Sequence, residues 1–128
     1  MQESDLIIRK SFSVSHNNGD MWAEDLDALY DFTEIVENKF MEDLKTIRRP
    51  SSPSVIAINL NQTVITQHLA TVIFEGLISA GNVRKVAFVG IDKEGLRIMK
   101  QTSKKYRTDF VYQYFNDFVI AKDWLIPK

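Results

Sequence analysis

The chain contains no cysteine. Disulfide staples and thiolate metal sites are therefore excluded, and packing alone must hold any core. Proline is scarce, three residues in 128, and two of them, Pro50 and Pro53, share one loop. The five glycines (Gly19, Gly76, Gly81, Gly90 and Gly95) are scattered, so no glycine-rich phosphate loop or nucleotide fingerprint exists. A Gly-x-Ser-x-Gly elbow is also missing. Histidine occurs only at His16 and His68, and no nearby carboxylate pair shares a helical face with either, so no metal site is expected. Apolar runs are short, Val86-Ala87-Phe88-Val89 being representative, which leaves no stretch able to cross a membrane as a helix. The opening Met1-Gln2-Glu3-Ser4-Asp5 is acidic and polar, unlike a secretory signal, so a cytoplasmic location is expected.

What is present is ordinary for a globular domain. Apolar residues make up 45% and charged residues 26%, which excludes a disordered or low-complexity chain. The length suits one domain, 1–128. A net charge of -1 is not that of a protein built to coat nucleic acid, and no nucleic-acid partner is expected. The charge is uneven, however. Residues 1–47 carry eleven acids against four bases, a balance of -7, while the remainder carries twelve bases against six acids, +6. Solvated faces of one domain account for this; an acidic and a basic helix shown to different partners would account for it too.

Asp5 to Val14 alternates with period two and reads as a strand. His16-Asn17-Asn18-Gly19-Asp20 is turn chemistry. Trp22, Leu26, Leu29, Thr33, Val36, Phe40, Leu44 and Ile47 then step by three or four, which predicts one long helix from about Ala23 to Ile47, ended by Arg48-Arg49-Pro50. No second strand is expected before it. Ser54–Leu60 reads as a strand buried on both faces, the mark of a parallel sheet. Thr66 should cap a helix that ends at Gly81-Asn82. Lys85–Gly90 repeats the strand pattern, and Asp92 should cap a third helix. Phe110–Phe115 should form a strand with Phe110, Tyr112 and Tyr114 on one face, and Asp117 should cap a last helix, Phe118–Ile126. The expected fold is therefore a single α/β domain with a mainly parallel four-stranded sheet, its first strand at an edge.

In open α/β sheets, ligands gather beyond the carboxyl ends of the strands. Asn61, Gln62, Thr63, Thr66, Gln67, His68, Asp92, Lys93 and Asn116 fall there and could converge. For Thr66, Asp92 and Asp117, helix capping alone would explain the residue type. A receiver-type phosphoacceptor site is a poor match, because the central strand ends in Asn59 and Asn61 rather than clustered acids. Arg48-Arg49-Pro50-Ser51-Ser52 superficially resembles a basic-directed kinase site, but a helix stop followed by a polar loop explains it more simply. The bases around Arg97, Lys100, Lys104, Lys105 and Arg107 could touch an acidic partner, although a solvated helix end is the commoner cause. The aromatics Tyr106, Phe110, Tyr112, Tyr114 and Phe115 could line a cavity for an apolar ligand or simply fill the core.

The run Val55-Ile56-Ala57-Ile58-Asn59-Leu60, a polar turn with Thr63, and Ile65-Thr66 opening a helix resemble the centre of a STAS domain, the family of anti-sigma-factor antagonists and sulfate-transporter tails. A closer likeness is to small bacterial STAS-like proteins grouped with the CRAL-TRIO lipid-binding fold. It is carried by Arg84–Gly90, by Tyr114–Leu125 and by the start Trp22-Ala23-Glu24-Asp25-Leu26. The likeness covers most of residues 54–126. It implies a non-enzymatic module without a cofactor. Such a module would bind a protein partner or small ligand near Asn61, Thr63, Thr66, Gln67, His68, Asp92 and Asn116, with Thr66 as the phosphoacceptor. The alternative it implies is a carrier or sensor of a lipid or other apolar molecule. A small enzyme ranks third, because no activated nucleophile with an oriented base is present. Two departures stand out. Regulatory antagonists carry Asp-Ser-Ser or similar where this chain has Ile65-Thr66-Gln67-His68, and a single leading strand replaces the usual hairpin. Homodimers could form through an edge strand or the long helix.

Overall fold

A computed structural model describes the whole chain, residues 1–128. After a 3-10 turn at Glu3–Asp5 the elements are β1 (Phe12–His16), β2 (Gly19–Asp25), α1 (Thr33–Ile47), β3 (Val55–Asn59), α2 (Gln67–Ala80), β4 (Lys85–Val89), α3 (Lys93–Ser103), β5 (Val111–Phe115) and α4 (Phe118–Leu125). They form one α/β domain on a five-stranded sheet whose spatial order is the chain order. β1 lies antiparallel to β2 at one edge, and the pairings β2–β3, β3–β4 and β4–β5 are parallel. No helix is long and apolar enough to cross a membrane.

The mainly parallel sheet and the edge position of the first strand agree with the sequence reading, but the strand count of four does not. The missing strand is β2, which occupies residues assigned to the start of the long helix. Asn17 and Asn18 both take left-handed backbone (φ 49° and 67°), as a two-residue hairpin turn requires, and His16 pairs with Gly19 across it. Met21, Trp22, Ala23 and Glu24 are all buried, so the strand shows no polar alternation. Trp22, Leu26 and Leu29 have helical spacing by coincidence. The helix starts at Thr33, after Phe32, whose side chain caps nothing. β1 also runs Phe12–His16 rather than Asp5–Val14. Its ladder stops where the Asp25 N–H donates to Ser11 Oγ at 2.9 Å, a side chain taking the place of the next backbone bond.

The three parallel crossovers all advance in the same direction. Right-handed crossovers then place α1, α2 and α3 on one face. There Trp22, Ile56, Ile58, Val86 and Phe88 of the sheet pack against Phe40, Leu44, Phe74 and Met99 of the helices. Gly76 lets α1 and α2 approach closely, since a Cβ there would lie 2.8 Å from the Phe40 ring. The other face carries only α4, where Ala121 and Leu125 cover Val55, Ala57 and Ala87. The side-chain caps of α2, α3 and α4 form as expected: Thr66, Asp92 and Asp117 accept from Leu69, Gly95 and Val119 N–H at 3.0, 2.7 and 2.7 Å.

Candidate functional site

A sheet wound in one direction has no point where the strand order reverses, so its topology opens no crevice between neighbouring crossovers. The cleft at the strand ends is made by loops instead. Beyond the ladder, the chain after β2 stays zipped to the chain after β3. Leu26 N–H donates to Asn59 O (2.9 Å), Ala28 to Asn61 O (2.8 Å) and Tyr30 to Gln62 O (3.0 Å), and Val64 N–H returns to Tyr30 O (2.8 Å). Tyr30 and Thr63 form an isolated parallel bridge. Thr63 fastens this zipper from inside. Its hydroxyl donates to Leu26 O at 2.6 Å and accepts from Leu29 N–H at 3.1 Å, and the residue is only 5% exposed.

The zipper holds three non-glycine residues in left-handed backbone: Ala28 (φ 52°), Tyr30 (50°) and Gln62 (55°). Each costs on the order of 1–2 kcal/mol, and such strain persists only where surrounding bonds over-determine it. Opposite them, Gly90 (φ 80°) passes so close that a Cβ would lie 2.8 Å from Asn61. Between these loops lies an open cleft of about 610 Å³. Tyr30 and Asp31 line one side, Asn61–Val64 the next, and Gly90 and Asp92 the last. Its ionisable side chains include two carboxylates and no base, which disfavours an anionic occupant.

Of the residues singled out from sequence, Asn61, Gln62, Thr63 and Asp92 line this cleft, Thr63 with its hydroxyl turned inward to the Leu26 and Leu29 backbone. Asp92 keeps one oxygen on the Gly95 amide. Thr66 sits at the start of α2 as its cap. Gln67 lines a different pocket, with Arg97 and Gln101. His68 Nδ1 lies 2.9 Å from Glu37 on the α1–α2 surface, and Asn116 stands at a separate groove beside β5. Tyr30 and Asp31 were missed, because the segment read as mid-helix.

A second polar cluster lies where β2 meets α1. Glu24 is 1% exposed and accepts from Trp22 Nε1–H at 2.9 Å. When ionised, its other oxygen has no hydrogen-bond partner, and the Asp43 carboxylate acts on it as a like charge, which favours a proton on Glu24. Burial first, and Asp43 second, push the Glu24 carboxyl up to about 9. Burial also raises Asp43, but hydrogen bonds from Glu24, Lys39 and Ser11 outweigh it and hold that carboxyl below its usual value. Lys39 Nζ lies 2.8 Å from both Asp43 and Ser11. Next along the strand, burial and the neighbouring Asp27 side chain push Asp25 up to about 6. Asp27 in turn pairs with Arg9 at 2.7 Å.

No protein-family model, curated protein or solved structure matches the chain.

Proposed function

We propose that this chain is a non-enzymatic, STAS-like recognition module that receives a protein partner or small ligand in the cleft at the carboxyl ends of β3 and β4. The observation that carries the reading is the strained zipper. Three left-handed non-glycine residues are held beside an open cleft by bonds that a merely connecting loop would not require. The leading hairpin supports the STAS likeness, since the apparent lack of one was its main structural departure. Binding is favoured over chemistry because the two histidines are engaged elsewhere, His68 with Glu37 and His16 with Asp123. Thr66 is the hydroxyl at this helix start, and a phosphoryl group there would face the positive end of α2.

The absence of native cysteine permits a direct test. Val64→Cys, at an exposed position in the cleft, is labelled with a thiol-reactive photocrosslinker, and Ser51→Cys on a remote exposed loop serves as control. Irradiation in extracts of the native host should give a discrete adduct from the Val64→Cys protein alone. Equal adducts from both positions, or none from either, would refute the reading.

A further inference from the structure

At the opposite edge of the sheet from β1, a groove of about 460 Å³ runs between α3 and β5. Tyr112 and Tyr114, both half-buried, form its wall over the fully buried Phe88, with Ile91 and Leu96 closing one end. The Phe88 and Tyr114 rings stack with centroids 5.4 Å apart and planes 25° from parallel, and Tyr112 meets Tyr114 edge to face at 6.1 Å. Flat aromatic walls of this kind suit a flat apolar guest. One cation stands at the groove, Lys100, exposed and without a carboxylate partner. Its Nζ lies 6.0 Å from the Tyr114 ring centroid. No acidic side chain lines the groove; the other polar members are the amides of Gln113 and Asn116.

The Tyr114 hydroxyl is shut away from water and has no hydrogen-bond partner. A buried donor left unpaired is costly. Burial, with Tyr112 beside it, pushes this phenol above its usual range, so it remains a donor at neutral pH.

We propose that this groove is a binding site for a small aromatic carboxylate, its ring against Tyr112 and Tyr114 and its charge on Lys100. The Tyr114 hydroxyl, shut away from water, stays outside that contact. The site is separate from the cleft of the proposed function, although one turn serves both: Ile91 lines the groove, and Gly90 and Asp92 line the cleft.

The test uses 2-naphthoate as the probe and the neutral 2-naphthamide as its uncharged counterpart, with binding followed by amide chemical shifts of the full chain. Naphthoate should bind saturably, with the largest shifts at Lys100 and Tyr112–Asn116. Lys100→Gln, a change at an exposed position, should weaken naphthoate by about tenfold and leave naphthamide within about twofold. Tyr114→Phe, which keeps the ring and removes only the shut-away hydroxyl, should leave naphthoate within about twofold while the protein unfolds no earlier than the parent. Failure of naphthoate to saturate by about 1 mM would overturn the proposal. So would shifts centred elsewhere, or equal loss of both probes in Lys100→Gln. Octanoate is the control for aliphatic acids; binding as tight as naphthoate's would overturn the aromatic preference.

Discussion

Replacing Glu24 by glutamine should stabilise this protein, by an amount that depends on pH. The Glu24 carboxyl titrates near 9 in the folded chain, against 4.5 when free in solution. Between those values the folded state holds a proton that the unfolded state releases. The unfolded chain then binds fewer protons, and stability falls as pH rises. Each pH unit in this window removes about 1.4 kcal/mol. At pH 7.5, three units above the free value of 4.5, the loss from this one group is about 4 kcal/mol. Glutamine keeps the shape. Its carbonyl can accept from Trp22 Nε1–H, and its amide can donate to Asp43 as the protonated acid does. It has no proton to retain. Urea unfolding of both proteins at pH 5, 6, 7 and 8 reads the difference directly. At pH 5 the two should lie within about 1 kcal/mol, and by pH 7.5 the variant should be ahead by up to about 4 kcal/mol. For a slope of about 2 kcal/mol per molar, that is a rise in urea midpoint of about 2 M. A difference that stays flat across the series would refute the reasoning, because it would mean that Glu24 is ionised in the fold and held by Lys39.

Thr63→Val keeps the side chain's shape but leaves the Leu29 N–H and Leu26 carbonyl without the bonds of 3.1 and 2.6 Å that Thr63 supplies. It should cost about 1–3 kcal/mol in chemical unfolding, and amide exchange at Tyr30 and Val64 should quicken; unchanged exchange there would show that the zipper does not depend on the hydroxyl. Thr66→Ala removes the α2 cap and should cost about 1 kcal/mol in the same assay. Thr66→Glu, placing negative charge at that helix start, should alter adduct formation from the Val64→Cys protein, and an unaltered yield would count against a switch at Thr66.

The parallel half of the fold was legible because its signals are local and redundant. Val55–Asn59 and Lys85–Val89 are apolar runs of strand length, and Thr66, Asp92 and Asp117 are capping residues at the positions where the helices begin. The hairpin was not legible, because its second strand is buried on both faces and contains an acid. Charge normally marks solvent, but Glu24 is tolerated inside because it keeps its proton. That property comes first from burial and then from Asp43, a residue far along the chain. The usable clue was Asn17-Asn18-Gly19, a sequence suited to the left-handed two-residue turn that returns a strand directly. The candidate site was half legible for the same reason. Asn61, Gln62 and Asp92 follow recognisable strands, whereas Tyr30 and Asp31 follow the strand that was missed.

Glu24 and the cleft are linked through this geometry. β2 is the only strand that meets both the antiparallel edge and the parallel sheet, and its continuation supplies the left-handed residues Ala28 and Tyr30. The strand is anchored to α1 through Glu24 and Asp43, and its end is anchored to the chain before β1 through Ser11 and Arg9. A simple hydrophobic residue at position 24 could fill the space, but it would not bind Asp43 and would not fix where β2 stops relative to α1. The loop that shapes the cleft begins immediately after that fixed point. The protonated acid therefore has a positional role that burial of an apolar side chain would not reproduce. That is the physical reason to expect a costly group to sit just before the loop that shapes the cleft.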